Sequence, residues 1–101
     1  MSDSAFKKVV KSLEPWLKYD IANLFMEQEG KDFDPNDRTG LRILDLLLAA
    51  AEEGDSRAMV SVALLYDHLA DHMEATVTWL KNAVGAGNDE AVLELVDFYQ
   101  S

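Results

Sequence analysis

The sequence predicts an all-α fold: a short α-solenoid of about six helices in antiparallel hairpins, about two and a half repeats. Three observations carry this. The stretch Ala49-Ala50-Ala51-Glu52-Glu53-Gly54-Asp55-Ser56-Arg57-Ala58 reads as a helix end, a left-handed glycine turn and the capped start of the next helix, with Asp55 or Ser56 as the cap. The same device returns as Ala83-Val84-Gly85-Ala86-Gly87-Asn88-Asp89-Glu90-Ala91, and Gly54/Gly87, Ala58/Ala91 and Tyr66/Tyr99 are each 33 residues apart. Between these turns, apolar residues recur at the i, i+3, i+4, i+7 spacing of helices with one buried face.

The first helix is capped by Ser2 or Ser4 and buries Phe6, Val9, Val10 and Leu13, with lysines on its other face. Glu14-Pro15 ends it, because proline disfavours helical geometry in the residue before it, while Pro15 suits the first turn of a second helix over Trp16 to Gln28. That helix places Leu17, Ile21, Leu24 and Phe25 on one face. Glu29 to Asp37 is the one long connection. The third helix starts at Asp37 or Thr39 and runs to Gly54; its apolar lower half marks it as central. A fourth runs from Asp55 to about His68, a turn follows around Ala70-Asp71, and a fifth spans His72 to Val84. The sixth starts at Asn88, with Glu90, Glu94 and Asp97 on a polar stripe of the kind a terminal cap needs. Residues 1–101 thus divide into an amino-terminal helix (1–14), a first hairpin (16–53), a second hairpin (55–84) and a capping helix (88–101). Ile21-Ala22-Asn23-Leu24-Phe25 matches Val62-Ala63-Leu64-Leu65-Tyr66 at a spacing of 41, which places the extra residues in the acidic connection.

Composition narrows the function classes. One domain is expected for 101 residues, 49% of them hydrophobic. The absence of cysteine excludes disulfides, thiolate zinc sites and cysteine nucleophiles. The start, Met1-Ser2-Asp3-Ser4-Ala5-Phe6-Lys7-Lys8, is too polar to open a secretory signal, and the longest apolar run, Leu46 to Ala51, is far short of a membrane span. A cytoplasmic location is the expectation. The net charge of −10 is unevenly placed: Lys7, Lys8, Lys11 and Lys18 against Asp3 and Glu14 leave residues 1–19 at +2, so the remainder carries −12. Such a field repels phosphate backbones and attracts basic protein surfaces. No nucleic-acid or membrane partner is expected.

The segments Ala58-x-x-x-Val62-Ala63-x-Leu65-Tyr66, Trp79-Leu80-Lys81-Asn82-Ala83 and Gly87-Asn88 resemble the Sel-one-like repeat, a relative of the tetratricopeptide repeat. The likeness covers residues 40–99. It departs where Ala63 replaces the usual glycine and Asn82 the usual lysine, and where the Gly-x-Gly-Val inter-helix loop is missing. The resemblance implies a scaffold or adaptor that binds other proteins, with no reaction of its own; a monomer or weak dimer is the expectation. In stacks of this kind the first helix of each hairpin lines the concave face. After removal of the core positions, that face takes Trp16, Tyr19, Asn23 and Met26, then Arg57, Val60, Leu64 and Asp67, then Glu90, Leu93, Asp97 and Gln100. Val60, Leu64 and Tyr19 are more apolar than a solvated groove needs. Either they receive a partner or the amino-terminal helix folds over them, since that helix must bury Phe6, Val9 and Leu13 somewhere.

Other constellations carry less. Asp32-x-Asp34-x-Asn36 opens like a calcium loop, but Asp37 stands where the motif needs glycine and Ile43 where it needs a bidentate glutamate. His68 and His72, flanked by Asp67 and Asp71, have the i, i+4 spacing of zinc ligands, yet they straddle the predicted turn. Neither is read as a metal site, and no cofactor is expected. With no Gly-x-Ser-x-Gly elbow, no phosphate-cradling glycine loop and both histidines in one short segment, no catalytic residue is assigned. Two functions fit. One is an adaptor that binds a basic or amphipathic peptide or helix of another protein on its concave, acidic face. The other is an acidic stoichiometric inhibitor or immunity-type protein that blocks a basic effector, toxin or nuclease.

Overall fold

In the computed structural model, residues 2–34, 36–67 and 73–100 are described. They form six α-helices: α1 (Asp3–Ser12), α2 (Pro15–Glu29), α3 (Arg38–Glu52), α4 (Ser56–Asp67), α5 (Met73–Gly85) and α6 (Asp89–Gln100). The protein is all-α, and no strand occurs among the described residues. From α2 onward each helix packs on the next in chain order, and α1 packs on α3.

The helix ends follow from single side chains. Ser2, not Ser4, caps α1: its Oγ accepts from the Ala5 N–H at 3.1 Å. Glu14 is extended and Pro15 opens α2, so the chain breaks between α1 and α2 instead of kinking. Asp37, not Thr39, caps α3 by accepting from the Gly40 N–H at 2.7 Å. The long connection holds one turn of 3₁₀ helix, Gly30–Asp32, and Phe33 anchors it by packing half-buried against the core. Asp34 Oδ1 accepts from the Asn36 N–H at 2.9 Å, so the acidic run makes a local turn.

The two glycine turns share their closing bonds and their caps. Gly54 (φ +104°) donates to the Ala51 carbonyl at 3.0 Å, and the Asp55 N–H reaches back to Ala50 O at 3.0 Å. Gly87 (φ +88°) donates to Val84 O at 3.0 Å, and the Asn88 N–H to Ala83 O at 3.0 Å. This pair of bonds closes a helix through a left-handed residue, a backbone shape that favours glycine. The residue after each glycine then caps the next helix. Asp55 Oδ1 accepts from the Ala58 N–H at 3.2 Å, and Asn88 Oδ1 from the Ala91 N–H at 3.1 Å. Every donor and acceptor in the second turn lies 33 residues after its counterpart. Asn88 Nδ2 also donates to Ser56 Oγ at 3.4 Å, which ties one turn to the other.

The core is centred on α3 and α4, as the apolar lower half of the third helix implied. α3 buries Ile43, Leu46, Leu47, Ala50 and Ala51, and α4 buries Ala58, Met59, Val60, Val62, Ala63 and Leu65. α2 differs from expectation. Its closest-packed positions are Lys18 and Ala22, while Leu24 is exposed and Leu17, Ile21 and Phe25 are half-buried. Lys18 is an amphipathic side chain whose stem fills the packing face while its ammonium pairs with Glu53 at the end of α3. In α1 only Phe6 and Val10 are buried, and Val9 faces out.

Candidate functional site

The residues assigned to a concave groove separate into three groups. Leu64, Asp67 and Asp97 come together. They line a hollow of about 590 Å³ between the end of α4, the start of α5 and the last turns of α6. The α5 side adds Met73 and Val77, and α6 adds Phe98. None of these three was assigned to the groove, which was drawn from the first helix of each hairpin; for Met73 and Val77 the signal was that the first turn of α5 must abut the last turn of α4. Glu94, read as part of an outer polar stripe, also lines the hollow. Among its described lining residues none is basic.

A second group is engaged within the protein. The Arg57 guanidinium sits 4.4 Å from the Tyr19 ring centroid, joining α4 to α2. It also meets the Asp55 carboxylate, with Nη2 to Oδ2 at 3.0 Å. That hydrogen bond, opposed in part by desolvation, raises the Arg57 pKa above its already high ordinary value. Val60 requires correction: at 4% exposure it belongs to the core, not to an open groove. Met26 and Tyr19 pack half-buried against the same core, and Asn23 is half-buried.

A third group, Trp16 on α2 and Leu93 on α6, stands exposed. The amino-terminal helix has its own seat. Phe6 and Val10 face Ile21, Phe25 and Leu46, the Arg42 guanidinium lies 4.9 Å from the Phe6 ring centroid, and Asp3 Oδ1 is 3.3 Å from Arg42 Nη2. α1 therefore docks on α3 and leaves Leu64 exposed.

The expected polar stripe of the sixth helix holds at Glu90 and Asp97, both exposed, but α6 also exposes Val92, Leu93, Val96 and Tyr99. Glu94 turns partly inward instead. Among the described residues no three histidine or carboxylate side chains converge as a cation would require. His68 and His72 lie outside the described residues. No described helix is long and apolar enough to cross a membrane.

What the hollow can do chemically is bind. It offers apolar surface from Leu64, Val77 and Phe98 beside the carboxylates of Asp67, Glu94 and Asp97. No family model, curated protein or solved structure matches the chain.

Proposed function

We propose that the protein is a non-catalytic interaction module of the helical-repeat kind, an adaptor that receives a basic or amphipathic segment of another protein in the α4–α6 hollow. The observation that carries this is the composition of that hollow: apolar walls from three helices together with carboxylates, on a chain whose residues after 19 carry a net −12. Apolar surface beside a group of carboxylates fits a peptide bearing lysine or arginine at the edges of an apolar stripe. The repeat reading is supported by the two glycine turns, which share their hydrogen bonds at a spacing of 33. The lack of cysteine suits a cytoplasmic protein.

The test is a binding measurement on the complex recovered from the native host, at low and high salt, with wild type and Leu64→Asp. Electrostatic steering predicts association that slows as the screening length falls to about 8 Å. Loss of an apolar anchor in Leu64→Asp weakens binding by more than about 2 kcal/mol. A complex indifferent to both changes excludes the hollow as the binding site.

A further inference from the structure

The α4–α6 hollow is lined unevenly. α5 packs on both α4 and α6 and gives it a floor, where Thr76 and Leu80 are almost fully buried. Leu64 and Asp67 stand on the α4 rim, one turn apart, and both are exposed. On the α6 rim Glu94, Asp97 and Phe98 fall at i, i+3 and i+4, which brings two carboxylates and an aromatic ring onto one face of the helix. The Phe98 ring meets the Tyr99 ring edge to face, with centroids 6.0 Å apart and planes at 74°. Carboxylates therefore stand on both rims, over an apolar floor and beside an aromatic ring. At about 590 Å³ the hollow has the size of a pocket that encloses a small ligand, and so suits an inserted side chain better than a long helix.

Elsewhere the chain shows what such a grouping holds. Arg57 of α4 lies 4.4 Å from the Tyr19 ring centroid on α2 and pairs with Asp55 at 3.0 Å. Arg42 of α3 lies 4.9 Å from the Phe6 ring centroid on α1 and pairs with Asp3 at 3.3 Å. Both times a guanidinium joins one helix to another through a ring and an aspartate. The hollow repeats the ring and the carboxylates, and no arginine or lysine is among its described lining residues. We infer that the hollow reads an arginine. The partner's segment inserts one arginine side chain, with its methylene stem over Leu64 and Val77 and its guanidinium on the Phe98 ring, forked to the Glu94 and Asp97 carboxylates. Asp67 faces the same charge from the α4 rim. This rests on the hollow being the partner site and narrows what enters it. Arginine is favoured over lysine because its planar head stacks on a ring and its N–H fork serves two carboxylates at once. A guanidinium is also more weakly hydrated than an ammonium, so it loses less on moving between apolar walls.

The probes are the peptide acetyl-Leu-Ala-Arg-Ala-amide and its versions with lysine or citrulline in place of the arginine, each titrated into the ¹⁵N-labelled full chain. Citrulline keeps the shape of arginine and carries no charge. The arginine peptide shifts the amide resonances of Leu64, Asp67, Val77, Glu94 and Phe98. It binds about three- to tenfold more tightly than the lysine peptide, and about tenfold or more above the citrulline peptide. Glu94→Gln weakens both charged peptides. Phe98→Leu keeps the apolar bulk, removes the ring and brings the arginine peptide down to the affinity of the lysine peptide. The peptide comparison on the unaltered chain stands whatever Phe98→Leu does to α6. Equal binding of the arginine and lysine peptides, with shifts at the hollow, overturns the arginine assignment and leaves the hollow as a site for basic segments of either kind. Equal binding of the citrulline peptide, or an arginine preference that survives Phe98→Leu, overturns it as well. Shifts only elsewhere in the chain, or none with any of the peptides, overturn this assignment and the hollow as the partner site together.

Discussion

α4 and α6 begin the same way and end up in opposite surroundings. Each follows a glycine of positive φ, each is capped by the next residue, and each has an alanine, Ala58 or Ala91, fully buried one turn in. Beyond that turn they diverge. α4 buries six residues and α6 buries Ala91 alone. Val60 and Leu93 occupy one register position at 4% and 68% exposure. The difference teaches that turn chemistry is local, set by about five residues and their backbone bonds, whereas burial is supplied by whatever helix comes to lie alongside.

The sharpest way to break that comparison is a charge placed at the same register position in both helices. Ala63→Asp puts a carboxylate where nothing can solvate it, and should cost more than about 4 kcal/mol, a large fraction of the stability of a domain this size. Val96→Asp faces water and should stay within about 1 kcal/mol. Thermal unfolding of the two variants measures both. Similar melting temperatures would mean that α6 is buried in solution as α4 is, and that its apolar stripe has a cover already.

A smaller effect is expected at the ion pair that separates α2 from both of these helices. Lys18 holds the register position that Met59 and Val92 hold in α4 and α6, and its ammonium is matched by Glu53. Glu53→Ala leaves a buried cation without its partner and should cost about 2–3 kcal/mol. Lys18→Met removes the charge, keeps a flexible apolar stem of similar length, and leaves Glu53, whose side chain is 44% exposed, to water. It should change stability by less than about 1 kcal/mol. Urea unfolding of the two variants decides it. A Lys18→Met loss as large as that of Glu53→Ala would show that Lys18 carries more than this one pair.

Much of this was legible before any coordinates, and the reasons are physical. Helix ends were readable because Ser2, Asp37, Asp55 and Asn88 cap by short-range bonds that depend on a few residues. The two matching turns were readable because glycine at 54 and 87 answers a backbone need that other residues meet at a cost. Lys18 was not readable as a core residue, because its burial depends on Glu53 lying opposite it, 35 positions away. The engagement of Arg57 with Tyr19 was hidden for the same reason: both looked available until α2 and α4 lay side by side. The site suffered most. Leu64, Asp67 and Asp97 do line one hollow, but Met73 and Val77 depended on how α5 starts against α4. The outer face of α6 was read as polar from Glu90, Glu94 and Asp97, because sequence alone does not say which side of a helix its neighbour covers.

The smallest predicted effect tests whether two identical turns have the same consequence. A Cβ added at Gly54 or Gly87 meets nothing within 4 Å, so the cost of Gly54→Val or Gly87→Val comes from backbone conformation, about 1–2 kcal/mol at each. Gly54 joins α3 to α4, the two helices that build the core, and no part of the molecule can give way there without the whole. Its valine variant should therefore lose about 4–8 °C of melting temperature for each kcal/mol. Gly87 joins α5 to a helix held at one fully buried position, so α6 can loosen while α1 to α5 stay folded. The expected signature of Gly87→Val is a loss of amide-exchange protection over residues 89–100 with a nearly unchanged melting temperature. Equal drops in melting temperature would show that α6 unfolds only with the rest, and that its anchoring is stronger than Ala91 and the neighbouring half-buried side chains account for. A selective loss at α6 would show the opposite: this edge is the least secured part of the fold.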